Sequence, residues 1–339
     1  MHSSEMVKSA TGPSIQDGEM FSNKQVLVTG GTGMIGRFLC QILLQQGAKV
    51  RVASLDSEHL CPEGCQFFQR DLTLMENCLE VTEGVDFVFH LAGVKGSPVA
   101  AVEKPASFFT PLLLFNTNML EASRRNAVGG YLYTSSIGVY NPDSGYIEDK
   151  AWELPPSDKD YFAGWAKRMG ELQLDAYRKQ YQWDDLYCVR PANVYGEYDN
   201  FDSENAMVIP SLIKRALQAE SELVVWGDGS AVRDFIHAED VAYAMLHVVK
   251  NKLHKPVNLG CGSGVSIKQL AEAVVAAVNP KLKLEWDVTK PNGDPKRILD
   301  TARLQQSGYR LQVDLPTGIR RVVDWYRHRP EDFQRPSYF

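Results

Sequence analysis

The sequence predicts an open α/β fold, doubly wound about a parallel sheet, with a smaller lobe toward the C-terminus. Three observations carry this. A short apolar run, Val26, Leu27 and Val28, is followed by Gly30, Gly33 and Gly36, and then by a segment with Phe38, Leu39, Ile42 and Leu43 on one face. Short runs rich in β-branched residues then alternate with helical periodicity as far as about residue 196. Beyond that point residues 197–205 are acidic and polar, and helices and short strands follow in a different rhythm.

The first strand shows no polar alternation, as expected of a strand buried on both faces. The helix after it spans 37–46 and stops at Gly47. Gly30 permits a tight turn, Gly33 lets a pyrophosphate approach the backbone, and Gly36 lets helix and strand pack closely. The N–H groups at Met34, Ile35 and Gly36 then offer a positive dipole end to phosphates. A dinucleotide site is therefore expected at this turn. Residues 49–53 form a second strand that runs into Ser54, Leu55 and Asp56. Asp56 reads either as an acceptor for the adenosine ribose or as a simple turn residue. No arginine follows to hold a 2′-phosphate, so NAD is favoured over NADP. Phe67 and Phe68 lead a third strand into Asp71 and Leu72. A fourth strand, 85–90, ends in Leu91, Ala92 and Gly93, where small residues let a cofactor reach the backbone. His90 alone reads as a core histidine.

A helix is expected over 111–126 and a fifth strand over 131–135, running into Ser136, Ile137, Gly138, Val139 and Tyr140. Residues 148–159 look like loop, 163–180 like a strong helix, and 186–189 like a sixth strand that reaches Pro191 and Asn193. Further helices are expected over 208–219, 240–250 and 267–278, and further strands over 223–226, 234–236 and 257–259. The last helix, 316–326, has a proline suited to its first turn. The expected organisation is a flexible tail over 1–22, then a dinucleotide-binding domain over 23–196 to which 234–260 returns. Residues 197–233 and 261–339 make a substrate lobe.

The 339-residue chain carries a formal net charge of -6, which argues against non-specific binding to nucleic acid or to an anionic membrane. No segment approaches about 18 consecutive apolar residues, so no membrane span is expected. The six cysteines are scattered. Cys61 and Cys65 lack a second pair or a histidine cluster, so no metal site is expected, and the thiols fit a reducing cytosol.

Several stretches together resemble the extended short-chain dehydrogenase/reductase superfamily that acts on nucleotide sugars. They are residues 29–36, Asp71-Leu72, 90–93, 135–140, Lys167 within 164–171, 190–196 and 233–237. The likeness covers about residues 24–328. It is nearest the GDP-L-fucose synthase branch, through Asp199-Asn200-Phe201-Asp202 with Val208-Ile209-Pro210, and through Lys290-Pro291-Asn292-Gly293 with Arg297 and Leu299-Asp300. The resemblance implies a Rossmann domain that binds NAD(P), a nucleotide-sugar substrate and a cytosolic homodimer. Lys167 would hold the nicotinamide ribose and Ser136 would bond the reacting oxygen, with Pro191 near the cofactor and Asn193 near the substrate. Arg233 and Arg297 would grip the diphosphate, a role suited to bidentate guanidinium chemistry. If they stood on separate lobes, they would couple binding to closure. The plainer alternative for both is a surface ion pair.

The departures from the family are specific. The superfamily's catalytic tyrosine stands four residues before its lysine, and here that position is Ala163. Tyr161 could replace it only if the helix begins after it and the loop folds inward. The branch's proton-exchanging Cys and His positions hold Gly138 and Met207, which counts against a 3,5-epimerase. Ile137 and Gly138 stand beside Ser136 where sugar 4,6-dehydratases use an acid. The expected activity is hydride transfer at C4 of a GDP- or UDP-sugar by an NAD(P)-dependent oxidoreductase or epimerase. One alternative is an engineered or natural variant that binds both ligands without efficient turnover. Another is a cofactor-binding regulatory or scaffold protein.

Overall fold

A computed structural model describes residues 20–94, 103–201, 206–290, 292–330 and 333. Residues 1–19 of the expected tail, and the motif residues Asp202 and Pro291, lie outside the described residues. The strands are β1 (Gln25–Thr29), β2 (Lys49–Ser54), β3 (Gln66–Gln69), β4 (Phe87–His90), β5 (Gly130–Thr134), β6 (Leu186–Pro191), β7 (Asn193–Tyr195), β8 (Glu222–Trp226), β9 (Val232–Arg233), β10 (Phe235–His237), β11 (Val257–Leu259), β12 (Val265–Ser266), β13 (Lys283–Asp287) and β14 (Lys296–Arg297). The α-helices are α1 (Met34–Gln45), α2 (Met75–Thr82), α3 (Pro105–Arg125), α4 (Tyr161–Tyr181), α5 (Val208–Gln218), α6 (Ala238–Lys250), α7 (Ile267–Val278), α8 (Ala302–Gln306) and α9 (Leu315–His328).

Seven strands form one sheet in the order β11-β6-β5-β4-β1-β2-β3, and every pairing in it is parallel. The order reverses between β1 and β4, which opens a crevice at the strands' carboxyl ends. Alternation along β1 explains its apolar run. Val26 and Val28 enter one core, with Leu39 and Leu43 of α1 and Val241 and Met245 of α6, while Leu27 enters the other, with Met119 of α3 and Leu174 of α4. A third core is built around Leu212, Leu223, Leu270 and Ile319. There β8 pairs with β13, while β9 lies between β12 and β14.

Three expectations need correction. α3 begins at Pro105, and Pro111 lies inside it. Pro105 sits in the first turn, where its missing N–H goes unused, and the buried face of Phe108, Leu112, Phe115 and Met119 runs on past Pro111. Packing there outweighs one lost helix bond. The packed chain also starts inside the expected tail. Phe21 is buried, with its ring edge-on to Phe87 and Phe89 at 5.3 and 5.6 Å. Finally, Leu299, Leu304 and Tyr309, assigned above to the substrate lobe, pack into the core shared by α1 and α6. Among the described residues no helix is long and apolar enough to cross a membrane.

Candidate functional site

The glycine turn joins β1 to α1 at the crevice. Gly30 has φ +66°, and a Cβ on it would lie 3.1 Å from the Ala92 nitrogen, so the turn and the Leu91-Ala92-Gly93 segment are in close contact. A Cβ on Gly36 would fall 2.4 Å from the Gly30 carbonyl oxygen and 2.6 Å from Gly31 Cα, as close helix–strand packing requires. A Cβ on Gly33 would strike the Gly30 carbonyl oxygen at 2.8 Å, so the turn's own backbone also excludes a side chain there. Gly33 is the N-cap of α1, and Met34 and Ile35 open the helix. This cradle, with a helix N-terminus behind it, fits the diphosphate of a dinucleotide. Asp56 stands two residues past β2 and is buried, and its Oδ2 accepts from Thr32 Oγ1 at 2.6 Å. Asp71 is exposed beyond β3 and accepts from Thr73, while Leu72 is buried beneath it.

A hydrogen-bond chain runs from this turn to α4. The N–H groups of Leu91 and Ala92 both donate to Thr29 Oγ1, at 3.1 and 3.0 Å. The Thr29 hydroxyl proton is therefore left for His90 Nδ1, 2.8 Å away. With Nδ1 accepting, Nε2–H donates to Asn116 Oδ1 at 2.9 Å. Asn116 Nδ2 donates to the Tyr133 hydroxyl at 2.9 Å, and that hydroxyl donates to the Lys167 carbonyl at 3.3 Å. Burial pushes the His90 imidazole down to about 3, so the ring is neutral, as the chain requires. His90 is thus a core histidine with a definite tautomer. The Lys167 ammonium donates to the Thr134 carbonyl at 2.8 Å, and burial pushes it down to about 8.

The turn after β5 is held from below. Ser136 Oγ accepts from the Gly138 N–H at 3.1 Å, while its neighbour Ser135 donates to Glu171 Oε1 at 2.5 Å. Glu171 in turn receives Arg190 Nε at 2.9 Å and Nη2 at 2.6 Å, a buried bidentate pair. A Cβ on Gly164 would meet the Gly138 carbonyl oxygen at 2.4 Å, so α4 packs directly on this turn. Ala163 faces the core beneath α4. The condition set for Tyr161 is not met: α4 begins at Tyr161, which is 40% exposed with its ring against Phe162 and Trp165.

Arg233 and Arg297 are register partners on β9 and β14, side by side in one small sheet. They do not stand on separate lobes, so the proposed coupling to lobe closure falls away. Arg297 Nη2 pairs with Asp160 at 2.8 Å, and its Nη1 lies 3.9 Å from Asp294. Arg233 Nη1 donates to the carbonyls of Val232 and Asp294. Lys159 pairs with Asp294. The buried Tyr146 phenol feels Arg297, Asp294, Asp160 and Arg233, and burial raises its pKa. Asn193 spends its amide on the Asp234 carbonyl at 2.9 Å, and Pro191 ends β6. Asp160, Tyr146 and Asn116 escaped the sequence reading. An aspartate just before a helix signals only a cap, and the other two are joined to the site by partners distant in sequence.

Fold and site together define a dinucleotide-binding protein of the extended short-chain dehydrogenase/reductase class. The chain belongs to the NAD dependent epimerase/dehydratase family, whose profile matches residues 26–260. It is similar to the putative GDP-L-fucose synthase 2 of Arabidopsis thaliana, at 31% identity over 332 residues, covering 93% of this chain and 96% of that one. The GDP-L-fucose synthase of Escherichia coli is 28% identical, with 92% and 99% covered. Among solved structures, the UDP-glucose 4-epimerase of Thermus thermophilus in complex with NAD has a TM-score of 0.77 at 26% identity, with 90% and 100% covered.

Proposed function

We propose that this chain is an NAD(P)-dependent nucleotide-sugar oxidoreductase or epimerase that works by hydride transfer at C4 of a GDP- or UDP-sugar. The observation that carries the reading is the link from Arg297 through Asp160 to Gly138, in the turn that holds Ser136. It joins the neighbouring guanidiniums of Arg233 and Arg297 to the carboxyl end of the sheet, where the glycine turn and Lys167 also stand. The bound nicotinamide supplies or accepts the hydride. Lys167 offers an ammonium to the ribose, the Ser136 hydroxyl bonds the reacting oxygen, and Arg233 and Arg297 hold the diphosphate. Gly138 and Met207 carry no exchangeable proton, which supports chemistry at C4 rather than at C3 and C5.

NAD is the favoured cofactor, because Asp56 near the end of β2 would repel a 2′-phosphate. The reading includes a cytosolic homodimer. Leu114 on α3, with Phe162 and Leu172 on α4, supports the dimer: these are large exposed apolar side chains on two adjacent helices. Neither the family nor the relatives lend support to an impaired variant. The test is a panel of GDP-, UDP- and dTDP-sugars, including 4-keto sugars, with NADH or NADPH, followed by nicotinamide absorbance and product NMR. Turnover with one activated sugar is expected. Cofactor binding with neither affinity for nor turnover of any activated sugar would overturn the reading in favour of a regulatory protein.

A further inference from the structure

The site holds a carboxylate with an unusual orientation. Asp160 is the N-cap of α4, where an aspartate ordinarily turns back onto the first N–H groups of the helix. It makes no such bond. Its Oδ2 accepts from Arg297 Nη2 at 2.8 Å and from Ser157 Oγ at 3.3 Å. Its carboxyl lies over Gly138, so that a Cβ on that glycine would be 3.5 Å from both Cγ and Oδ1. A Cβ at 138 would thus make ordinary van der Waals contact with Asp160, which places the carboxyl directly against the turn that carries Ser136. Asp160 also precedes Lys167 by about two helical turns, which sets both along one side of α4 with Ala163 between them.

Three nearby phenols are otherwise engaged, and the fourth, Tyr146, is the rival that the test below separates from Asp160. Tyr133 is committed to Asn116 and the Lys167 carbonyl. Tyr140 is fixed between Arg190 and Asn258. Tyr161 turns outward. Asp160 remains partly accessible, with 28% of its side chain exposed.

We propose that Asp160 exchanges the proton with the reacting sugar oxygen, and that the substrate's diphosphate frees it by replacing it on Arg297. The inference rests on the nucleotide-sugar reading above. In the oxidative direction the sugar O–H and C–H bonds break and a C=O bond forms. The hydride leaves to NAD(P)+ and the proton passes to the Asp160 carboxylate. Reduction reverses each transfer. Asp160 contacts Arg297 and Ser157, and the charged and titratable groups of the same cluster are Arg233, Asp294, Lys159 and Tyr146. In the free protein Arg297 is shared between Asp160 and Asp294. A diphosphate carries more charge than either carboxylate and can span both Arg233 and Arg297.

The test compares Asp160→Asn, Asp160→Glu and Tyr146→Phe in the full chain, with GDP and UDP as calorimetric probes and turnover measured on the sugar found by the panel. Asp160→Asn removes the competitor for Arg297, so the preferred diphosphate should bind at least about threefold tighter. Turnover should fall by roughly 10²–10⁴. Asp160→Glu should restore part of the rate, which loss of folding would not allow. The inference is overturned by Asp160→Asn turnover within about threefold of wild type. It is equally overturned by unchanged or weaker diphosphate binding, or by a comparable rate loss in Tyr146→Phe alone. A wild type that neither binds GDP or UDP nor turns over any activated sugar removes the functional reading and this inference with it. A wild type no faster than its Asp160→Asn variant removes only the inference.

Discussion

Replacing Glu171 with alanine isolates the buried pair beneath the Ser135–Ser136 turn. Arg190 and Glu171 side chains are only 1% and 4% exposed. Burial alone would push the Arg190 guanidinium down; Glu171 more than offsets this, and the net shift is upward. Without Glu171, Arg190 keeps the Tyr140 hydroxyl and the Glu148 carbonyl through Nη1, but its Nε and Nη2 donors lose their partner, as does the Ser135 hydroxyl. An uncompensated buried charge of this kind costs about 3–5 kcal/mol. At roughly 2.1 cal/mol/K per residue, 339 residues have an unfolding entropy of about 0.7 kcal/mol/K, so Tm should fall by about 4–7 °C. The double variant Glu171→Leu with Arg190→Met should lose less than Glu171→Ala. It removes both charges and leaves the Tyr140 and Glu148 oxygens short of a donor and the Ser135 hydroxyl short of an acceptor, all of them neutral groups. Differential scanning calorimetry checks both. A fall of under about 2 °C in Glu171→Ala, or a double-variant loss equal to the sum of the single losses, would show that the charge is not buried as described.

Three further outcomes are expected. Gly36→Ala places a Cβ against two backbone atoms of the turn, so NAD(P)H affinity should drop roughly 100-fold, about 3 kcal/mol, by calorimetry; unchanged affinity would mean that the cofactor binds elsewhere. Lys167 titrates at about 8 in the free protein, below its ordinary value of 10.5, and a bound diphosphate cofactor favours the charged form. Binding should therefore take up protons near pH 8 and weaken as pH rises above it. Calorimetry in buffers of different ionisation heat measures this, and zero uptake would refute it. Arg233→Ala or Arg297→Ala should cost roughly 2–5 kcal/mol of nucleotide-sugar affinity in equilibrium titrations; affinity that survives both changes would put the phosphates elsewhere.

The sheet was legible in the sequence because its signals are local. β1, its glycine turn and α1 are contiguous and depend on neighbours in the chain. β11 and α7 fell where their periodicity put them, at Val257–Leu259 and Ile267–Val278. Pro111 misled because a local rule was outweighed by an apolar face that packs on both sides of it. The site was legible by residue type but not by arrangement. Nothing local reveals that Arg233 and Arg297, 64 positions apart in the numbering, are register partners. Nor does a loop-like Asp160 announce that it forgoes its cap to reach Arg297. His90 could be read as a core residue, but its tautomer follows only from two N–H groups meeting at Thr29 Oγ1.

That polar chain from Thr29 to Lys167 has a consequence for motion. Every member donates in one sense, so no link can reverse without breaking the whole series. The glycine turn and the middle of α4 therefore cannot open independently at a low free-energy cost. Backbone amides near Lys167 should exchange with solvent only through a large cooperative opening, together with those of β1 and β4, although Tyr161 and Phe162 at the start of the same helix are exposed and free to fray. The helix that carries the lysine is thus divided in its dynamics, with an exposed start at Tyr161 and Phe162 and a rigid centre at Lys167.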